Sequence, residues 1–168
     1  PVVKVGASAA TDVVVTSATA ISARAPAGSA GAKIVTVATA GGVGTLSAGY
    51  THVAAPKIAS LSPLAGPTAG GVTVTIRGSN LLGASVSIGG TPATILSTTA
   101  TTISVTTPAG AAGVKAVLVT TVGGEVTKLG GFTYLAAPSI TNVSPSSGPL
   151  SAGTPITVTG ANFTTLGG

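Results

Sequence analysis

The chain contains no cysteine, no methionine and no tryptophan, and only 5% of its 168 residues are charged. The absent cysteine excludes disulfides, thiolate metal sites and a cysteine nucleophile together. Carboxylates are nearly as scarce, Asp12 and Glu125 being the only two. They stand at non-equivalent places, with nothing to bring them face to face as a general acid/base or glycosidase pair. Calcium sites want several oxygen ligands, usually carboxylates close in sequence, and two lone acids cannot supply them. His52 is the single histidine. A Ser-His-Asp arrangement would have to couple it to Asp12, and no nucleophile-elbow motif is present. The chain is therefore expected to be non-enzymatic, with no catalytic, cofactor-binding or metal-binding residue and no cofactor.

Aromatic rings number four: Tyr50, Phe132, Tyr134 and Phe163. Sugar-binding modules and single-stranded nucleic-acid binders present exposed rings for stacking, and four rings in the chain offer little for that purpose. The net charge of +5 comes from Lys4, Arg24, Lys33, Lys57, Arg77, Lys115 and Lys128 set against the two acids. These cations are scattered, whereas nucleic-acid binding needs a clustered basic face that neutralises several phosphates at once. No stretch approaches the roughly 20 continuous apolar residues of a spanning helix. Neither nucleic acid nor a membrane span is expected. The sequence does not open with a basic segment followed by an apolar one, so any export signal is expected to lie outside this window or to have been removed.

What is present is apolar and β-branched. Hydrophobic residues make up 44% of the chain, mixed with Thr, Ser and 25 glycines, which is enough apolar surface to fold rather than stay disordered. Residues 72–77, Val-Thr-Val-Thr-Ile-Arg, alternate strictly and place Val72, Val74 and Ile76 on one face of a half-buried strand. Residues 156–159, Ile-Thr-Val-Thr, repeat the pattern. Further short strands are expected at residues 85–88, 102–106, 114–121 and 132–135, each bounded by Gly or Pro. Turn signals near every tenth residue fit an all-β, Ig-like β-sandwich without its disulfide.

An internal repeat with a step of 82 residues organises these strands. Residues 62–81 return as residues 144–163, Pro26 returns as Pro108, Lys33 as Lys115, Tyr50 as Phe132 and Pro56 as Pro138. Gly6 aligns with Gly89 at a step of 83, which places one extra residue in the turn before Ile21. Residues 56–137 form one complete unit on this reading. Residues 1–55 match the later part of a unit, lacking its first strands, and residues 138–168 match only its opening strands. Arrays of similar units put function in the array rather than in one unit.

The order of landmarks in the complete unit resembles an IPT/TIG domain. They are residues 56–63 (Pro-x-Ile-x-x-Leu-Ser-Pro), 70–81 (Gly-Gly-x-x-Val-Thr-Ile-x-Gly-x-Asn-Leu), 86–90 (Val-x-Ile-Gly-Gly), 108–110 (Pro-Ala-Gly) and 131–134 (Gly-Phe-Thr-Tyr). One departure is His52, which stands where the complete unit has Tyr134. The resemblance implies tandem Ig-like, early-set sandwiches, with Tyr50, Phe132, Tyr134 and Phe163 on landmarks of core or strand-end packing, in a family that spans surface adhesins, receptor ectodomains, accessory modules of sugar enzymes and DNA-binding transcription factors. Fold alone fixes little about activity there. Gly78 and Gly160, just before Asn80 and Asn162, suit a turn that needs positive φ or a close backbone approach, with Asn bonding its own backbone. The pairs Gly70-Gly71, Gly89-Gly90 and Gly123-Gly124 precede no helix and carry no Lys-Ser/Thr, so they are not read as phosphate loops.

The surface is unusual. No charged residue occurs in residues 78–114 or 129–168, whereas soluble domains carry about 25% charge and avoid large apolar patches or bare sheet edges. Packing against other copies or O-linked glycan on Thr and Ser would cover such a surface; the alternative is that Thr and Ser hydroxyls alone keep it wet. The complementary ends give two readings: one very long tandem chain that reads through, which is favoured, or separate subunits polymerising by strand donation. Ile140, Val143, Ile156, Val158 and Phe163 are the residues expected to complete an adjoining unit. Pro-containing joints at residues 54–56 and 136–138 would restrict hinge freedom. The chain is thus expected to build an extracellular, bacterial filament whose partners are other copies of itself, head to tail and lateral, with any glycan or host-surface ligand open. A spacer stalk of a surface adhesin and an accessory module of a secreted carbohydrate-active enzyme are the alternatives.

Overall fold

The structure, a computed structural model, describes residues 1–151 and 153–163. The part of the expected completing tail beyond residue 163 lies outside the described residues. Seventeen strands form among the described residues: β1 (Val2–Val5), β2 (Ser8–Ala9), β3 (Thr11–Ser17), β4 (Ala20–Arg24), β5 (Gly31–Thr39), β6 (Gly42–His52), β7 (Lys57–Ser62), β8 (Ala65–Pro67), β9 (Thr73–Ser79), β10 (Ser85–Ile88), β11 (Thr91–Pro92), β12 (Thr94–Thr98), β13 (Thr102–Thr106), β14 (Gly113–Thr121), β15 (Gly124–Leu135), β16 (Ser139–Ser144) and β17 (Thr157–Ala161). There is no helix among them.

Strands β7 to β15 make a two-layer sandwich. One sheet runs β12-β13-β9-β7 and the other β11-β10-β14-β15-β8. The alternation in residues 72–77 places Val74 and Ile76 inward, opposite Val105 and Ile103 on β13. From the other sheet come Val86, Ile88, Val117, Val119, Phe132 and Tyr134, and all ten of these side chains are buried. Each fully buried Val, Ile or Phe contributes about 1.5–3 kcal/mol. Tyr134 meets Phe132 edge-on at 5.1 Å, and its hydroxyl donates to the Pro108 carbonyl at 2.6 Å. Apolar body and polar tip are both satisfied.

The last strand of the sandwich is longer than the expected 132–135. It begins at Gly124 and stays paired with β14 throughout, because the turn at Val122 and Gly123, followed by Gly124 at φ 126°, closes a hairpin. Gly78 follows the expected close-approach explanation: a Cβ there would fall inside the carbonyl oxygen of Lys57. The positive φ belongs instead to Asn80, at 58°. Its amide Nδ2 donates to the Ala55 carbonyl at 2.9 Å rather than to its own backbone.

The same local rules build the rest. β1 pairs β5 with Val3 opposite Val37 and Val5 opposite Val35, the register of Val86 with Val119 and Ile88 with Val117. β5 and β6 carry a bulge between Lys33 and Val35, as β14 does between Lys115 and Val117. β16 and β17 put Val143 opposite Val158, as β7 and β9 put Leu61 opposite Ile76. Residues 1–52 hold one sheet, β2-β1-β5-β6, and the separate hairpin β3-β4, while β16 and β17 form a two-stranded sheet of their own.

Candidate functional site

The open faces of residues 1–52 and 138–163 are the candidate site. In the full sandwich, the β7–β9 pair and the β12–β13 pair join through β9 and β13 into four strands. Their counterparts are left as two-stranded sheets, β16-β17 and β3-β4, with β17 and β4 each unpaired on the equivalent edge. An isolated two-stranded hairpin is marginally stable in water.

Side-chain burial gives the same result. Ile140, Val143, Ile156, Val158 and Phe163 are 67, 37, 58, 40 and 52% exposed. One repeat step before the last four stand Leu61, Val74, Ile76 and Leu81, at 7, 0, 0 and 0%. On the other open face Ile21 is 37% and Tyr50 42% exposed, while Ile103 and Phe132 are fully buried. The structure brings Val143 and Val158 together across a strand pair; it pairs neither with residues 1–52. Of the four rings, Phe132 and Tyr134 are buried, while Tyr50 and Phe163 stand partly open. Among the described residues, the strands that cover Phe132 and Leu81 have no counterpart over Tyr50 and Phe163.

An apolar groove of about 790 Å³ runs beside the second joint. Its lining includes Val72, Leu135, Phe163 and residues 136–138. Asn162, at φ 61°, donates from Nδ2 to the Ala137 carbonyl at 3.0 Å, repeating the bond of Asn80 to Ala55. Nothing in the alternation of apolar and polar residues marks this clamp. What the sequence shows of it is the Gly-x-Asn spacing alone.

The rest of the surface offers little chemistry. Asp12 forms an exposed ion pair with Arg24 at 3.2 Å. His52 lies half-buried on β6, edge-on to Tyr50 at 5.0 Å. A smaller cavity of about 340 Å³ beside it is lined by Gly6, Lys33 and His52 among others, and Lys33 donates to the Ser29 hydroxyl at 3.0 Å. Burial raises the pKa of the Tyr134 phenol above its ordinary value. Among the described residues no three His, Cys, Asp or Glu side chains gather where they could hold a metal, and no helix is long and apolar enough to cross a membrane.

Paired sheets around an aliphatic core, repeated along the chain, define an all-β protein of tandem Ig-like sandwiches. The IPT/TIG domain family matches residues 56–134 and 138–167, and the chain belongs to that family. It is 36% identical to fibrocystin-L of Homo sapiens over 124 residues, which is 70% of this chain and 3% of that protein. The chain thus spans a small fraction of the length of that relative. A structure of the plexin A4 full extracellular region, domains 1 to 10, superposes with a TM-score of 0.53 at 24% identity, covering 95% of this chain and 15% of that one. A second plexin A4 extracellular structure gives 0.51 at 22% identity, covering 79% of this chain and 14% of the other. These likenesses are of fold.

Proposed function

We propose that this chain is a non-enzymatic structural repeat of an extracellular fibre, in which each open half-sandwich is completed by the complementary half of an adjoining copy. The observation that carries this reading is the burial mismatch. Core-type side chains of residues 138–163 stand open, and so do those facing the unpaired edge of β4. Docking β17 beside β4 would rebuild the four-stranded order seen as β12-β13-β9-β7. Val158 would then lie opposite Ile21, as Ile76 lies opposite Ile103. The extracellular setting draws support from plexin A4, whose matching structures are of its extracellular region. Lateral packing of copies and O-linked glycan on Thr and Ser are the proposed coverings of the long uncharged stretches.

The adjoining half can be supplied by the same polypeptide or by a separate one. A denaturing gel of native fibres distinguishes them: a species near 15.5 kDa would sink the read-through chain, and a very large polypeptide would sink strand donation. The stalk reading predicts a single file of sandwiches. A lateral interface below about 800 Å² in the assembled fibre would favour it over the filament. An accessory sugar-binding role has less support, because the two exposed rings, Tyr50 and Phe163, belong to open core faces rather than to a finished surface.

A further inference from the structure

Two side chains of residues 1–52 that differ from their repeat counterparts meet at one cavity. Ser29 stands where the complete unit has Ala111, and His52 stands where it has Tyr134. Both line the cavity of about 340 Å³ together with Lys33, which returns as Lys115 one repeat later. No carboxylate is in that lining, and Asp12 is held by Arg24. In a chain with only 5% charged residues, a lysine and the single histidine thus share one small cavity.

The local backbone brings these groups together. Gly31 at the start of β5 pairs with His52 at the end of β6, so Ser29 and Lys33, two residues to either side of Gly31, come beside the imidazole. The Lys33 stem runs over Gly6, where a Cβ would lie 3.6 Å from Lys33 Cδ. Its Nζ donates to the Ser29 hydroxyl oxygen at 3.0 Å, which leaves the Ser29 hydroxyl hydrogen and the remaining ammonium hydrogens to donate elsewhere. His52 Nε2 sits 2.6 Å from the place a Cβ on Gly28 would take, and Gly28 lines the same cavity. Tyr134 uses its hydroxyl on the Pro108 carbonyl; the imidazole has no hydroxyl and brings a ring nitrogen to the cavity wall instead. This end of a sandwich is also open when every strand is in place, since Gly89, Gly90, Thr91, Ala109 and Ala111, the counterparts in the complete unit, are all exposed.

We propose that the cavity binds a small oxyanion, a sulfate, phosphate or carboxylate, through the Lys33 ammonium, the Ser29 hydroxyl and an imidazole N–H of His52. Charge-assisted hydrogen bonds of this kind are stronger than neutral ones, and no acid in the lining opposes the ligand. The volume lies at the small end of ligand cavities, which suits a free ion or an acidic group on a single sugar ring. The site is independent of the fibre reading, because all three donors belong to one copy.

Titration of the isotope-labelled 168-residue chain with sodium sulfate, at an ionic strength held constant with sodium chloride, tests the site by amide chemical shifts. Saturable shifts are expected at Gly6, Gly28, Ser29 and Lys33, with Gly89, Gly110 and Lys115 unmoved. Ser29→Ala and His52→Tyr install the side chains that the complete unit carries at those places, so both are expected to fold. Combined, they should weaken sulfate binding by about tenfold or more, and so should Lys33→Gln. Acetate and glucuronic acid then present a carboxylate without and with a sugar ring. Tighter binding of glucuronic acid assigns the anion to a glycan and equal or weaker binding assigns a free ion; either result upholds the site. Shifts that do not saturate, an equal response around Lys115, or variants that bind sulfate like the parent would overturn it.

Discussion

Replacing Ile156 by alanine should weaken assembly by somewhat more than it weakens the isolated fold, whereas Ile76→Ala should fall mainly on the fold. The substitution is the same; the surroundings differ. Ile76 is fully buried between the sheets, so its truncation removes both the transfer free energy and the support of its neighbours, a loss of about 2–5 kcal/mol. Ile156 is 58% exposed. Removing three carbons is worth about 2.4 kcal/mol at roughly 0.8 kcal/mol each, of which the exposed share, about 1.4 kcal/mol, is realised only when a second copy covers it. That amounts to about tenfold in the association constant. The unfolding free energy of the dilute chain, from urea titration, should fall by about 1 kcal/mol or less for Ile156→Ala. Sedimentation or light scattering at rising concentration measures the association. Equal losses of monomer stability for the two variants, or an unchanged association for Ile156→Ala, would refute the completion reading.

Two further outcomes follow from the complete sandwich. Gly78→Ala should lower the melting temperature of the 168-residue chain by about 10 °C, since its Cβ would enter the Lys57 backbone carbonyl and force about 2 kcal/mol of rearrangement in a small domain; a change under about 2 °C would show that the bulge at Ile58 yields easily. Burial raises the Tyr134 pKa, so the folded chain holds that proton more tightly than the unfolded one. Its contribution is complete below the unfolded value of about 10 and is lost as pH rises through the folded value. Tyr134→Phe, which also leaves the Pro108 carbonyl without its donor, should cost about 1 kcal/mol near neutral pH and flatten the alkaline loss, as urea titrations between about pH 8 and 11 would reveal.

Much of the fold can be read directly from the residues. The strict alternation of residues 72–77 has one face to bury and one to wet, and the structure buries Val74 and Ile76 accordingly. Phe132 and Tyr134, on a family landmark, occupy the core beside Pro108. Tyr50 and Phe163 do not, although they stand on equivalent landmarks. Landmark position fixes the direction of a side chain relative to its strand; burial depends on which other strand lies opposite. The clamp from Asn80 to Ala55 was equally hidden, because its partners are 25 residues apart and meet only after β7 and β9 pair.

The all-β class, the 82-residue step and the family landmarks were legible in the residues alone. Those depend on local periodicity, spacing and composition, which a linear chain carries in full. Only the folded chain shows that the core-type side chains among residues 138–163 stand open, that Asn80 and Asn162 clamp the two joints, and that Gly123 lies against the Ala54 carbonyl. Each is a relation between groups distant in sequence. Whether an apolar residue is finished core or an unfilled contact is set by the neighbours that pairing and sheet packing bring to it.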